Sequence, residues 1–117
     1  MRNSIFEFIL TAMHIRIELW MWLGDKLGSN FQPLSEMRSF KEMDVEEGLT
    51  VIQLFGRLAA QNPLIEKKIF DPKSQKFFPN LSVIVTEDGK VISPFIVEES
   101  VIKDGYEITV LPLYVGG

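Results

Sequence analysis

The chain has 117 residues, of which 46% are hydrophobic and 24% are charged, a balance typical of one ordinary globular domain. Its formal net charge of -4 argues against nucleic acid as the main partner, because contact with phosphates requires a basic surface. The sequence contains no cysteine, which excludes disulfides, thiolate metal sites, iron–sulfur ligation and a cysteine nucleophile.

The first twelve residues predict an extension that precedes the domain. Their short apolar run is interrupted by Glu7 and is far shorter than the roughly 20 residues that span a bilayer. A signal peptide is the weaker reading, because the apolar stretch continues into a good strand. We therefore expect residues 1–12 to be an extension, with Met13 as an alternative start to Met1. We also expect a cytoplasmic protein without a membrane partner.

Alternating hydrophobicity predicts a β-strand over residues 14–23. One face carries Ile15, Ile17, Leu19, Met21 and Leu23, and the other carries His14, Arg16, Glu18, Trp20 and Trp22. This period of two is typical of a strand that buries one face. We expect Trp20 and Trp22 to be covered by a second helix or a loop, with an exposed docking patch as the alternative. His14 is expected to be a solvated surface residue without a catalytic role. Residues 37–45 predict a second strand that pairs back on the first.

A helix is predicted to follow the acidic turn at residues 46–48. Thr50 with Gln53 three residues later forms a capping box, and Leu49 with Leu54 can form a hydrophobic staple. The expected buried stripe consists of Ile52, Phe55, Leu58 and Ala59. Asn62-Pro63 ends the helix. Gly56 is expected to permit close packing of the helix on the sheet. The acidic pairs at residues 46–47 and 98–99 are interpreted as solvated turns.

The second half of the chain predicts three more strands. Residues 64–70 form a short second helix or a loop, and residues 71–74 form a turn. Strands are expected over residues 81–86, 90–97 and 106–113, with Pro94 confining the middle one to an edge or a short pairing. Asp88-Gly89 is a two-residue hairpin turn, and Asp104-Gly105 is a further turn.

The predicted order is strand, strand, helix, strand, strand, strand. It gives an α+β fold of the β-grasp type, with a mixed sheet of about four to five strands wrapped around one main helix. The expected organisation is an extension at residues 1–12, the β-grasp domain at 13–113 and a flexible tail at 114–117.

Three segments of the chain carry a resemblance to a known family. They are the opening strand HIRIELW, the stretch EEGLTVIQLFGRLAAQNP at residues 46–63, and the stretch KDGYEITVLPLYVGG at residues 103–117. The last combines a strand, Pro112 and a closing Gly116-Gly117. These segments resemble the ubiquitin-like sulfur carriers of the MoaD/ThiS family, in particular the small subunit of molybdopterin synthase. The resemblance covers residues 13–117.

The resemblance implies a function for the last residues. An activating enzyme would use ATP to adenylate the carboxylate of Gly117, and a sulfur donor would convert the adenylate into a thiocarboxylate. That sulfur would be donated in molybdopterin (molybdenum or tungsten cofactor) biosynthesis, with the larger synthase subunit or another sulfur acceptor as the partner. Gly116, Val115, Tyr114 and Pro112 would bind the partners. The resemblance implies no metal and no bound cofactor, and a carrier rather than an enzyme, with any catalytic residues in the larger synthase subunit.

Elementary chemistry agrees with this reading. A carboxylate is a poor electrophile, and joining it to AMP creates a good leaving group. Gly116 and Gly117 have no side chains, so they can enter a narrow channel and adopt backbone angles closed to other residues. A terminal thiocarboxylate would also explain sulfur chemistry in a chain without cysteine.

Other functions remain open from the sequence. The chain can instead serve thiamine, cysteine or tRNA thiolation, all of which use similar carriers. It can be a ubiquitin-like modifier that forms isopeptide bonds with lysines through Gly117. It can also be a non-catalytic β-grasp interaction module in which the Gly-Gly is incidental.

Overall fold

A mixed six-stranded sheet and two helices form the structure, a computed structural model that describes residues 12–21, 31–92 and 99–113. The strands of the main sheet are β1 (Met13–Leu19), β2 (Gln32–Ser35), β3 (Arg38–Val45), β6 (Leu81–Glu87), β7 (Lys90–Ile92) and β8 (Tyr106–Pro112). The helices are α1 (Val51–Gln61) and α2 (Pro63–Lys68), and a separate two-stranded sheet consists of β4 (Phe70–Asp71) and β5 (Lys76–Phe77).

The two central strands of the main sheet come from opposite ends of the domain. The strand order is β2-β3-β1-β8-β6-β7, in which β1 runs parallel to β8 and antiparallel to β3. Ile17 lies opposite Ile108 in the parallel pair. A parallel neighbour requires a crossover connection, and α1 lies within the long connection between these strands. The predicted β-grasp arrangement is confirmed, with six strands in the sheet rather than four to five.

The core lies between one face of the sheet and α1. Ile15, Ile17 and Leu19 of β1 are fully buried, as the alternating pattern predicts, and so are Ile108 and Val110 of β8. Met21 packs partly buried against this core. Leu23 and Trp22 lie outside the described residues. The inner face of the first strand was therefore correctly predicted as far as the structure describes it.

The predicted capping box begins α1. Thr50 Oγ1 accepts a hydrogen bond from Gln53 N at 3.2 Å, and Gln53 Oε1 accepts one from Thr50 N at 3.0 Å. Two backbone donors that have no partner inside the helix are thereby satisfied. Leu49 and Leu54, the predicted staple, are both buried.

The buried face of α1 differs from the predicted stripe at one position. It consists of Val51, Leu54, Phe55, Leu58 and Ala59. Ile52, predicted to be buried, is only partly buried at the side of this face. The observed set follows the complete i, i+3, i+4, i+7, i+8 pattern that starts at Val51, and this pattern rotates Ile52 toward the edge.

Gly56 does not provide close packing on the sheet. A Cβ placed on Gly56 would have Phe70 Cε2 as its nearest neighbour, at 4.0 Å, which is an ordinary contact. The glycine therefore faces the β4–β5 hairpin and not the sheet, so the predicted reason for its presence is wrong.

Asn62 joins the two helices. It is the C-cap of α1, and its side chain also accepts a hydrogen bond from Leu64 N at 3.0 Å as the N-cap of α2. Pro63 stands in the first turn of α2, where its missing N–H costs nothing. Of the two readings for residues 64–70, the short helix is therefore the one observed. The predicted turn after it is also present, and it extends to Gln75 with φ 58°.

Strand β2 was not predicted, because Pro33 argues against a strand. It forms the edge of the sheet, where a missing N–H breaks no ladder, and its pairing with β3 shifts register between Pro33 and Ser35. The hairpin turn between β6 and β7 is confirmed by positive φ values of 52° at Asp88 and 79° at Gly89. β7 ends at Ile92, and Pro94 lies outside the described residues. No helix among the described residues combines the length and the hydrophobicity needed to cross a membrane.

Candidate functional site at the end of strand β8

The end of β8 is held at a defined position in the sheet. β8 lies between β1 and β6 and buries Tyr106, Ile108 and Val110. Pro112 pairs with Leu81 at the last step of the β6 ladder. Just beyond the strand, Leu113 N donates a hydrogen bond to Asn80 O at 2.8 Å. The chain therefore leaves the sheet from a strand that is paired on both sides.

Only one of the predicted site residues is described by the structure. Pro112 is the last residue of β8 and is half-buried. Tyr114, Val115, Gly116 and Gly117 lie outside the described residues, so their predicted roles stay predictions. Four extended residues beyond Leu113 reach at most about 13–14 Å. Any partner that reacts at Gly117 must therefore come close to the end of β8.

Trp20 lies beside this end of the sheet. It follows β1, and its backbone N donates a hydrogen bond to Val110 O at 2.8 Å. Its side chain is 40% exposed, so the predicted cover by a helix or loop is wrong for Trp20. The alternative, a docking patch of Trp20 and Trp22, stays a prediction, because Trp22 lies outside the described residues. The guanidinium of Arg38 lies 4.6 Å from the ring centroid. The ring has this cation beside it because residues 38 and 20 meet where β3 pairs with β1.

A buried carboxylate, Glu18, organises the same face. Its residue is only 6% exposed, and its oxygens accept hydrogen bonds from Arg16 Nε at 3.1 Å, Trp20 Nε1 at 2.7 Å and Arg38 Nη2 at 2.8 Å. Arg16 in turn lies over the ring of Phe40, 4.0 Å from its centroid. We call these five residues the Glu18 cluster. Burial raises the pKa of Glu18, but the hydrogen bonds from Arg38, Trp20 and Arg16 outweigh burial and hold that pKa below its ordinary value.

The Glu18 cluster was not foreseen from the sequence. Outward-facing residues of a sheet with one buried face are expected to be solvated, and the register that brings β3 beside β1 is needed to see that Arg38 meets Glu18. The alternation of Arg16, Glu18 and Trp20 along β1 is the one local signal. The cluster holds an exposed Trp and an exposed Arg, residue types enriched among those that dominate binding energy at interfaces. It therefore offers a preorganised surface next to the end of β8.

Removing the carboxylate should destabilise the fold. We expect Glu18→Ala to lower the free energy of unfolding by about 1–3 kcal/mol, because the partly buried Arg16 and the exposed Arg38 both lose a charged acceptor. Since the folded state lowers the pKa of Glu18, its contribution is present above the ordinary value of 4.5 and is lost as the pH falls further. Urea unfolding at neutral and acid pH measures both effects.

Glu107→Ala is the matched control for this variant. The Glu107 carboxylate is 44% exposed and lies 3.5 Å from Arg16 Nε. An exposed pair of this kind contributes at most about 1 kcal/mol. Equal losses in the two variants would show that the Glu18 cluster has no special role in stability.

The other titratable groups singled out from the sequence lie away from the end of β8. His14, at the opposite end of β1, is exposed as predicted. Its Nδ1 lies 2.9 Å from Asp44 Oδ1 and its Nε2 lies 3.0 Å from Glu42 Oε1, hydrogen bonds that raise its pKa. Glu46, in the turn before α1, forms an ion pair with Arg57, whose hydrogen bonds lower the pKa of Glu46 to about 2. Within the described ranges, no group of His, Cys, Asp or Glu side chains is arranged to hold a metal ion.

Comparison with known proteins relates the chain to solved structures. No protein-family model and no curated protein matches the sequence. The solution structure of the Haloferax volcanii HVO 2177 protein is similar with a TM-score of 0.61 at 14% identity, over 92% of this chain and 89% of that one. Two crystal structures of H. volcanii SAMP1, small archaeal modifier protein 1, give TM-scores of 0.54 and 0.55 at 19% identity, over 89% and 87% of this chain and 99% of theirs. At these identities the likeness establishes the fold, a ubiquitin-like β-grasp.

Proposed function

We propose that the chain is a ubiquitin-like sulfur carrier that reacts through the carboxylate of Gly117. The observation that carries the proposal is the end of β8: a strand paired on both sides leads directly into a Gly-Gly tail, next to the Glu18 cluster. In this proposal the activating enzyme recognises the folded domain, and the reaction takes place at the tail. The proposed setting is the cytoplasm, where the activating enzyme and its ATP are found.

The proposed chemistry has two steps. A carboxylate oxygen of Gly117 attacks the α-phosphorus of ATP, the bond from that phosphorus to the bridging oxygen breaks, and pyrophosphate leaves. The sulfur donor then delivers hydrosulfide, whose sulfur attacks the carbonyl carbon of the acyl adenylate. AMP leaves with the electron pair of its bond, and loss of the S–H proton gives a thiocarboxylate. Both steps need groups supplied by the activating enzyme and the sulfur donor, which agrees with the proposal that this chain is a carrier and not itself an enzyme.

Molybdopterin biosynthesis is the pathway that we propose for use of the sulfur. The support is the resemblance of the ending PLYVGG to the small subunit of molybdopterin synthase, together with a chain longer than the thiamine type. The larger synthase subunit would then receive the tail and supply the catalytic residues. Thiamine, cysteine and tRNA thiolation are the alternatives.

A protein modifier is the second candidate function. The observation that favours it is the structural likeness to a protein that is named a small archaeal modifier protein. A modifier requires the same activated carboxylate at Gly117, which would be transferred to a lysine amine instead of a sulfur donor. The folded domain and the surface formed by the Glu18 cluster would serve either function.

Intact mass spectrometry of the chain from its native host tests the proposal. We expect a population whose mass is raised by one oxygen replaced by sulfur, located at the C-terminal peptide after digestion. Lysine-linked adducts without that species would favour the modifier. If neither the thiocarboxylate nor lysine-linked adducts are found in cells that make the molybdenum cofactor, the non-catalytic interaction module remains as the interpretation.

A further inference from the structure

A groove with a basic rim lies at the end of β8. Its volume is about 370 Å³, and it is open to solvent. The groove is lined by Lys67 and Lys68, by the polar Asn80, and by the apolar residues Met21, Phe78, Leu81 and Pro112. We call it the Lys67–Lys68 groove. It shares Pro112 with the candidate site.

The backbone around this groove is well connected. α2 ends at Lys68, and the next residue, Ile69, accepts a hydrogen bond from Phe78 N at 3.0 Å. Phe78 O accepts one from Leu81 N at 3.2 Å, and Leu81 pairs with Pro112 in the sheet. The last turn of α2 is thereby linked to the end of β8, so the two lysines have a defined place beside Pro112.

The charge of this groove is opposite to that of the whole chain. The chain carries a formal net charge of -4. Glu46 and Glu47 line a groove of about 670 Å³ beside α1 together with Arg57, and Glu42 and Glu107 line one of about 140 Å³ together with His14 and Arg16, so carboxylates are present in both. No carboxylate among the described residues lines the Lys67–Lys68 groove.

Lysines in the last turn of a helix interact favourably with the helix dipole, which is a sufficient reason for Lys67 and Lys68 to stand there. It does not explain why apolar side chains lie next to them in the groove. An apolar floor with a cationic rim complements a segment that carries both apolar and acidic side chains.

We propose that the Lys67–Lys68 groove binds an acidic, partly apolar segment of the activating enzyme. This inference rests on the proposed function and names the chemistry of its partner. Binding here would hold the enzyme against Pro112 at the end of β8 and close to the Glu18 cluster, because Met21 of the groove follows Trp20 of the cluster in the chain. The groove contributes affinity and orientation; the reacting group remains the carboxylate of Gly117.

A charge-reversal experiment tests the groove. The double variant Lys67→Glu/Lys68→Glu is compared with Lys73→Glu/Lys76→Glu, which changes the net charge equally at two exposed lysines outside the groove. ATP–pyrophosphate exchange is measured with the purified activating enzyme of the native host, with the carrier as the varied substrate. We expect the groove variant to raise KM for the carrier about tenfold or more with kcat within about twofold, and the control to stay within about twofold of the wild type. The effect should shrink in high salt.

The possible outcomes separate this inference from the proposed function. No exchange with the wild-type chain would overturn the proposed function, and the groove proposal with it. Exchange with the wild type and an unchanged groove variant would overturn the groove proposal alone. An equal increase of KM in both double variants would show that the effect comes from the net charge of the chain and not from the groove, and would also overturn the groove proposal. A lower KM in the groove variant would indicate that the lysines hold the chain's own tail, again against the proposal. Thermal unfolding must show that both variants are folded.

Discussion

Deleting Gly117, or adding one residue beyond it, is expected to lower activation at least about a hundredfold and to leave the domain folded. The reason is geometric. One residue moves the carboxylate by roughly 3.3–3.6 Å along an extended chain, and misplacing a reacting group by as little as about 1 Å can cost about a hundredfold. Because the tail starts at the end of β8, the domain could compensate only by moving along the activating enzyme, and it would then lose its other proposed contacts with that enzyme.

ATP–pyrophosphate exchange with the host's activating enzyme measures this prediction. Gly116→Val should also be impaired, since a branched side chain would clash in the narrow channel proposed for the activating enzyme, and Gly116→Ala is the smaller matched change. Circular dichroism must show that every variant is folded. If the extended chain supports ATP–pyrophosphate exchange at the wild-type rate without being trimmed back to Gly117, the carboxylate of Gly117 is not the reacting group. Both the carrier and the modifier hypotheses would then be wrong.

Phe55→Ala is expected to destabilise the domain by about 3–5 kcal/mol. Phe55 is fully buried on α1, and its ring packs edge-on against Phe77 with centroids 4.9 Å apart and at a tilt against Phe70 with centroids 6.4 Å apart. Truncation removes both ring contacts and leaves a cavity between α1 and the β4–β5 hairpin. The midpoint and slope of urea unfolding give the change in free energy.

Ile52→Ala is the matched control, on the same helix but at the edge of its buried face. The sequence alone predicts similar losses at the two positions, whereas the structure predicts about 1 kcal/mol for the half-buried Ile52. A loss at Ile52 as large as that at Phe55 would show that the buried face of α1 is wrongly assigned.

Local signals account for the elements that were predicted correctly. The capping box of Thr50 and Gln53 and the hairpin turn of Asp88-Gly89 each depend on a few neighbouring residues, and both are present as expected. The buried face of β1 was equally predictable, because the alternation of apolar and polar residues can be recognised within a single strand. The β-grasp followed because these elements, in this order, leave few ways to bury their apolar faces.

The features that were missed depend on tertiary pairing. β2 contains Pro33 and is a strand only because an edge tolerates the missing donor. The Glu18 cluster requires Arg38 to be brought beside β1, and the Lys67–Lys68 groove requires α2 to be linked to the end of β8. Such contacts join residues far apart in the chain, and no local pattern encodes them. The tail residues that carry the predicted chemistry lie outside the described part of the chain.

The parallel pairing of β1 with β8 has a consequence for how the domain folds. It joins residues separated by nearly the whole domain, and such non-local contacts slow folding because chain entropy is lost before the contact stabilises anything. Until β8 inserts, β1 and β6 each lack a neighbour and present an open edge. The hydrogen bond from Trp20 N to Val110 O, near the end of β8, therefore forms only when β8 pairs with β1. An enzyme that recognises the tail in the context of this strand end would select folded molecules over incompletely folded ones, so that ATP is spent only on chains able to serve as carriers.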